Sequence, residues 1–322
     1  MEYKNITDVN KPVSRIVFGT ATPAMMRGEN VFKLLDEIFA AGVNTFDTAR
    51  SYGMAEKSLG SWIAARDNRD AVVLLAKGAH PAAGSQEMRV TSEAIREDVE
   101  KSLETLKTSY LDIYMLHRDN PKVPVGPLVE TLNELREEGK IGVFGGSNWS
   151  YERIDEANEY AYAHDMFGFD VSSPAYSLAE QKEDPWGGGC VDISGEKHSA
   201  ERDWYQDKGV EVFAYAGLAH GFLSGKFRSD EEKRAVKLLD EYAVKGYCCP
   251  RNFKKLAKAE QLAAKKHATV PQIALAWLLQ QPLNPMAICS ASAARKMLAN
   301  LKALDLELDA EELRWLSSGD NE

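Results

Sequence analysis

Three ionisable residues stand at the ends of apolar runs in this 322-residue chain: Asp47 closes "VNTFD" (43–47), Lys77 closes "AVVLLAK" (71–77) and His117 closes "LDIYMLH" (111–117). Tyr52 follows five residues after Asp47, in "FDTARSYG" (46–53). A phenol ionises near pH 10 and is a poor acid at neutrality. A neighbouring ammonium favours the phenolate, so Lys77 is expected to lower the pKa of Tyr52, and Asp47 to keep that ammonium charged. His117 is placed to orient a carbonyl oxygen or to relay the proton. Together the four suit protonating an oxygen on which negative charge develops, as on a carbonyl receiving a hydride. Taken one at a time they have ordinary explanations: a turn carboxylate, a surface lysine, a packed tyrosine, a loop ion pair of His117 with Asp119. Their order at successive run ends is what points to chemistry.

Groups separated by 5, 25 and 40 residues cannot be gathered by one helix, so the elements around them must do it. Beyond the three runs already quoted, strand candidates are "SRIVFG" (14–19), "IGVFGGS" (141–147), "FDVSS" (169–173), "VEVFAYA" (210–216) and "MAICS" (286–290), eight in all. Stretches of helical period separate them. In 91–107 the residues Ile95, Val99, Leu103 and Leu106 share a face, with Arg96–Glu100 and Glu97–Lys101 spaced to pair on the wet side. "PQIALAWLLQQ" (271–281) begins with a proline suited to a helix start and stops before Pro282. Mostly apolar strands, each followed by a helix, imply a parallel sheet buried on both faces. Eight such units predict an α/β fold, a closed (β/α)8 TIM barrel, as a single domain over 1–322, with strand C-termini gathered at the catalytic face. Two stretches, 178–198 and 226–252, are expected to be long irregular loops at that face.

Composition narrows the function. Lys plus Arg number 39 against 49 Asp plus Glu, a net charge of −10, which disfavours nucleic acid and anionic membrane as partners. No run approaches the ~18 apolar residues of a membrane helix, and the N-terminal stretch lacks a signal-peptide pattern, so a cytoplasmic location is expected. The four cysteines, Cys190, Cys248, Cys249 and Cys289, have neither zinc spacing nor a disulfide framework. They are expected to be reduced thiols, with no metal site. Oligomeric state is left open.

The motifs themselves resemble those of the aldo-keto reductase family over nearly the whole chain. "FDTARSYG" is similar to its F-D-T-A-x-x-Y-G segment, "AKG" (76–78) and "LHRD" (116–119) to its lysine and histidine segments, and "EEGKIGVFGGSNW" (137–149) and "GFLSGKF" (221–227) to two more. The resemblance implies the barrel, a nicotinamide cofactor, and a catalytic tetrad of Asp47, Tyr52, Lys77 and His117. It assigns the nicotinamide amide to Ser147 and Asn148, with Ser173 where the family usually has Gln, and ring stacking to Tyr176 of "SPAYSL" (173–178). It sets the pyrophosphate against backbone N–H groups of Gly217, Leu218 and Gly221. For the adenosine end it offers Ser290 and Ser292 to a 2′-phosphate, Lys296 near the family's Arg, and Asn300 at its Asn, while Ala299 replaces the usual Glu. A lysine supplies a point charge where an arginine gives a planar fork. The resemblance favours NADP(H), but the lysine makes that preference weaker than is usual in the family, and NAD(H) is also allowed.

Trp149, Trp186 and His80 are candidate substrate-wall residues, and the expected partner is a small carbonyl or its alcohol, sugar-like compounds slightly favoured. Two rival readings stand beside the reductase. Lys77 could form a Schiff base in a lyase, or the chain could be a cofactor-bound binding or regulatory module.

Overall fold

The computed structural model describes residues 1–318 apart from Ala83 and Gln86. Eight parallel strands form a closed barrel: β1 (Ile16–Gly19), β2 (Thr45–Asp47), β3 (Val73–Gly78), β4 (Leu111–Leu116), β5 (Ile141–Ser147), β6 (Val171–Ser173), β7 (Glu211–Ala214) and β8 (Met286–Cys289). They neighbour one another in chain order, with β8 beside β1. Each of the eight predicted runs contains one of them, and helices alternate with the strands as expected of a (β/α)8 TIM barrel. The chain divides into two compact units, one of Met1–Ser173 with Gly209–Glu211 and Ser290–Ala294, the other of Pro174–Lys208, Val212–Cys289 and the residues from Arg295 onward.

In the first unit, a short antiparallel ribbon (Tyr3–Lys4 with Val13–Ser14) precedes β1. It is fastened from several sides. Lys11 Nζ lies 2.6 Å from both Asp112 Oδ1 and Val72 O, and Asn44 donates to Pro12 O at 2.7 Å. Strands β3 and β4 are buried along their whole length, as parallel strands covered on both faces must be. The register sets Gly19 beside Asp47, Asp47 beside Leu75, and Lys77 beside Met115, so the chemistry-bearing residues come late in their strands. Phe46 packs against Trp62 and Phe18 at ring separations of 5.4 and 6.1 Å. Each fully buried side chain of that size contributes roughly 1.5–3 kcal/mol relative to exposure.

The helix predicted over 91–107 runs Ser92–Leu106, with Thr91 accepting from Ala94 N at 3.2 Å as its N-cap. Its buried face carries Ile95, Val99, Leu103 and Leu106, and also Asp98 and Ser102. Glu97 and Lys101 pair as predicted. Arg96 and Glu100 do not pair with each other; Arg96 reaches Glu134 and Glu138, and Glu100 takes Lys140. These long side chains find opposite charges on the following helix and loop instead of on their own.

In the second unit, β7 and β8 pair through Phe213–Met286 and Ala214–Ala287. The predicted helix start at Pro271 lies one residue inside Val270–Leu279, capped by Thr269 and Gln272, each bonding the other's backbone. The stretch 226–252, expected to be irregular, contains the helices Glu232–Leu238 and Glu241–Tyr247 and the start of Pro250–Lys265. Each of the first two has seven residues, too few for a helical period to declare itself. Lys255, buried, binds Glu180 at 2.7 Å and Leu178 O at 3.1 Å, and Asn252 donates to Glu180 O at 2.8 Å, fastening the 178–182 segment to the Pro250–Lys265 helix. Among the described residues all four cysteines are free thiols, and no helix is long and apolar enough to cross a membrane.

Candidate active site

Asp47, Tyr52, Lys77 and His117 come together in the first unit. Asp47 and Lys77, both 3 % exposed, form an ion pair through Oδ1 and Nζ, and Nζ also approaches Thr48 O at 3.4 Å. The same Nζ lies 5.3 Å from the Tyr52 ring centroid. The Tyr52 ring stands edge-on to His117, centroids 5.5 Å apart and planes at 81°. The backbone makes this convergence possible. Past β2 the chain keeps following β3, Thr48 N donating to Leu75 O at 2.8 Å and Arg50 N to Lys77 O at 3.0 Å. A turn then brings Tyr52 round, its N–H on Ala49 O.

Burial governs the electrostatics. It raises the Tyr52 pKa, and the opposing pull of Lys77 does not reverse that shift. The expectation of a lowered phenol pKa is thus corrected. The physical reason is the missing water, which would have solvated a phenolate. Tyr52 therefore keeps its proton at neutral pH. Burial would discharge Lys77, but the negative charge of Asp47 together with Tyr52 holds its pKa above the ordinary value. Burial likewise pushes Asp47 upward against the pull of Lys77. His117 is driven well below its usual range by burial and by the charges of Lys77 and Arg118, with His80 contributing. A neutral imidazole can donate one hydrogen bond but adds no charge.

His80, a candidate substrate residue, lies against this group with its ring 4.9 Å from that of His117. Ser51 Oγ is 3.3 Å from His117 Nδ1, a neighbour that sequence reasoning missed although it sits inside the quoted motif. Also missed were the polar groups beneath the site. Ala79, two residues after Lys77, has φ 59° and donates its N–H to Asp98 at 2.8 Å. Arg89 binds both oxygens of Asp98, at 2.9 and 3.1 Å, and His80 O at 3.2 Å. Gly78 is required by a close approach, because a Cβ there would lie 2.1 Å from Tyr114 Oη. Helical period hid Asp98, which reads as one more charged residue on a charged helix.

The candidate cofactor residues of the first unit are partly engaged with one another and with the backbone. Ser147 Oγ donates to Ser173 O at 3.1 Å, and Asn148 Nδ2 reaches Ser147 Oγ at 3.2 Å and His117 O at 3.3 Å. Asn148 holds a left-handed backbone, φ 62°, directly after β5. These contacts fix a row of amide and hydroxyl groups at the ends of β5 and β6, a donor and acceptor set that fits a carboxamide. Ser290 donates to Gly19 O at 2.8 Å, and Ser292 is exposed. Trp149 lines no opening: it is fully buried, donates its indole N–H to Arg118 O at 3.0 Å, and packs on Phe169. The indole fits because residue 146 is glycine, where a Cβ would lie 2.5 Å from Trp149 Cγ.

In the second unit, Tyr176 is buried, with its hydroxyl 3.3 Å from Gln281, its ring edge-on to Trp277 and the Arg202 guanidinium 5.8 Å away. The turn after β7 has left-handed backbone at Ala216, Ala219, His220 and Gly221. Its own hydrogen bonds use the N–H groups of Ala219 and Gly221 and leave out those of Gly217 and Leu218, which fits a phosphate better at the latter two. Lys296 is exposed and Asn300 buried on the helix Ala294–Leu301. Trp186 is partly exposed and sits 4.8 Å from His220, stacked at 6.1 Å on Tyr242. Among the described residues no cluster of His, Cys, Asp or Glu could hold a metal ion.

Known proteins resemble this chain over most of its length. The aldo-keto reductase YhdN of Bacillus subtilis (strain 168) is 29% identical over 333 aligned positions, covering 99% of this chain and 93% of its own. A probable voltage-gated potassium channel subunit beta of Oryza sativa subsp. japonica is 26% identical, covering 95% and 92%. An aryl-alcohol dehydrogenase, GME11368, of Pestalotiopsis microspora is 26% identical, covering 90% and 72%. The model of the Aldo/keto reductase family matches residues 15–319, and with that span the chain belongs to this family, oxidoreductases that use nicotinamide cofactors on carbonyl substrates.

Proposed function

We propose that the protein reduces an aldehyde or ketone to the alcohol, the hydride coming from nicotinamide C4 of NADP(H) in preference to NAD(H), with Tyr52 giving the proton. The observation that carries this reading is the buried ion pair Asp47–Lys77, with the ammonium 5.3 Å from the half-buried Tyr52 ring and that ring edge-on to a neutral His117. Tyr52 holds its proton until an oxygen acquires charge in front of it, and Lys77 then stabilises the phenolate left behind. Asp47 keeps Lys77 an ammonium throughout, which also argues against a Schiff-base nucleophile at that position. His117 and His80 orient the carbonyl oxygen toward the phenol.

For the cofactor, Ser147, Asn148 and Ser173 are proposed to take the carboxamide, with Ser290 and Ser292 assigned to the 2′-phosphate. In the second unit, the same reading assigns Gly217 and Leu218 to phosphate oxygens, with Gly221 shaping their turn, and Lys296 and Asn300 to the adenosine end. Tyr176 is assigned to the ring. The match over residues 15–319 supports one catalytic domain. Trp186 remains a candidate substrate contact, and its partly exposed ring suits the planar face of an aryl or sugar-like carbonyl.

The channel-subunit relative favours a second reading, a cofactor-bound module without turnover. One experiment separates the two. The protein is titrated with NADPH and with NADH by quenching of its six tryptophans, then assayed with a panel of aryl, aliphatic and sugar aldehydes. Saturable binding with oxidation of the cofactor supports the reductase. Tight binding with no oxidation on any aldehyde supports the module, and no binding of either cofactor refutes both.

A further inference from the structure

Glu56 stands outside the tetrad. It lies on the helix Ala55–Arg66 and is 1 % exposed. One carboxylate oxygen pairs with Arg50 Nη1, and the other accepts from Ser102 Oγ at 2.7 Å. Taking a carboxylate out of water is costly, and a buried ion pair is seldom a better stabiliser than an apolar pair of the same volume. The placement of this pair suggests another use.

Arg50 and Glu56 bracket Tyr52 in the chain. The main-chain N–H of Arg50 donates to Lys77 O at 3.0 Å, so the same residue is tied at its backbone to the strand carrying Lys77 and at its side chain to Glu56. On the far side, Ala55 N donates to Tyr52 O at 3.0 Å, and Ala55 adjoins Glu56. The ion pair therefore closes a short loop around Tyr52 and fastens it to the end of β3. Ser102, on the helix Ser92–Leu106, ties Glu56 to a second helix. That helix also supplies Asp98, which holds the backbone of Ala79 just beyond Lys77. We propose that Glu56 is a positioning residue that acts through Arg50 to hold the Tyr52 phenol at its working distance from the Lys77 ammonium.

This inference rests on the assignment of Tyr52 as proton donor, and its test has a readout that does not need turnover. The groups facing Tyr52 are Lys77, Asp47, Arg118 and the His117 ring; those facing Glu56 are Arg50, Asp98 and Ser102. If the bracket is opened, the phenol drifts from Lys77 and loses part of the attraction that favours its ionised form. The phenol titration is followed by the near-ultraviolet absorbance of tyrosinate. The Tyr52 component is obtained by subtracting the Tyr52→Phe protein, in the wild type, Glu56→Gln, Arg50→Ala and the double variant. Arg50→Ala serves if Glu56→Gln does not fold, since the Arg50 side chain is 27% exposed and its main-chain bond to Lys77 survives the change.

The expected result is a Tyr52 pKa raised by about one further unit. A kcat roughly 10-fold or more below wild type should accompany it, with an unchanged cofactor Kd and the double variant no worse than either single one. An unmoved Tyr52 titration in folded Arg50→Ala, or fully additive losses in the double variant, would overturn the proposal. If the wild type reduces no carbonyl, the reductase reading fails, and the titration still decides whether Glu56 positions Tyr52.

Discussion

Gly78→Ala is the sharpest perturbation of the floor of the candidate site. The backbone at 78 is not in the left-handed region, so alanine meets no conformational objection there. The obstacle is steric: the new methyl would sit 2.1 Å from Tyr114 Oη and 2.8 Å from Asp98 Cβ. Both are buried, and Tyr114 belongs to the neighbouring strand β4. Relief therefore requires moving a strand-borne ring or the Asp98 that holds Ala79. Overpacking of this kind costs about 1–3 kcal/mol. An error of about 1 Å at Lys77, the preceding residue, would lower turnover by about 100-fold. The structure also supplies the remedy. Among the described residues nothing hydrogen-bonds Tyr114 Oη, so Tyr114→Phe removes the nearer of the two clashing atoms without breaking a bond. The assay is urea denaturation and carbonyl reduction for wild type, each single variant and the double. Tyr114→Phe alone should be neutral or stabilising, because a buried hydroxyl without a partner costs roughly 1–3 kcal/mol. The double variant should regain part of the stability and activity lost by Gly78→Ala, the contact with Asp98 Cβ remaining. A Gly78→Ala protein as stable and active as wild type, or a double variant no better than Gly78→Ala, would refute the steric reasoning.

Three further outcomes are expected. Tyr52→Phe should lower carbonyl reduction by about 100- to 10,000-fold while leaving the NADPH Kd from fluorescence quenching unchanged; a parallel loss of cofactor affinity would argue against a purely acidic role. Lys77→Met leaves Asp47 buried without its cation and should destabilise the fold by about 3–5 kcal/mol at pH 7 in denaturant titrations, a loss that an additional Asp47→Asn change should partly restore; a single variant as stable as wild type would contradict the pair. For His117 the folded pKa is depressed, so the unfolded chain binds the proton first as pH falls below about 6.5, and stability is lost progressively below that pH by up to about 1.4 kcal/mol per unit. His117→Asn should flatten that part of the stability–pH curve between pH 7 and 5, and identical curves for the two proteins would refute a neutral buried imidazole.

The strands and the tetrad were legible because both announce themselves in one dimension. A parallel strand is an apolar run, and an ionisable residue at its end is conspicuous. The floor was not legible, since Glu56, Asp98 and Ser102 sit on helices where a polar residue usually means solvent, and only the three-dimensional packing turns them inward. Trp149 misled for the opposite reason. Next to "GGSN" it looks like a residue at an opening, yet it is fully buried, in space that a Cβ at 146 would take from it. The pKa of Tyr52 could not be read from neighbours alone, because its sign depends on how much water the fold removes. In the second unit, the two seven-residue helices between β7 and β8 fell below the length at which periodicity is informative.

The ribbon before β1 has a consequence for synthesis on the ribosome. The partner of Lys11, Asp112, is made about a hundred residues after it, which at roughly 5–20 residues per second is a delay of about 5–20 s. Over that interval Ile16, Val17 and Phe18, all buried in the finished barrel, have only part of their cover. The ribbon's bonds to Val72 and Asn44 can form sooner, but the Lys11–Asp112 ion pair waits for the fourth strand. In a cell, the nascent chain over this window is where a chaperone would find an apolar strand to hold, and slowing translation before residue 112 should lengthen that exposure.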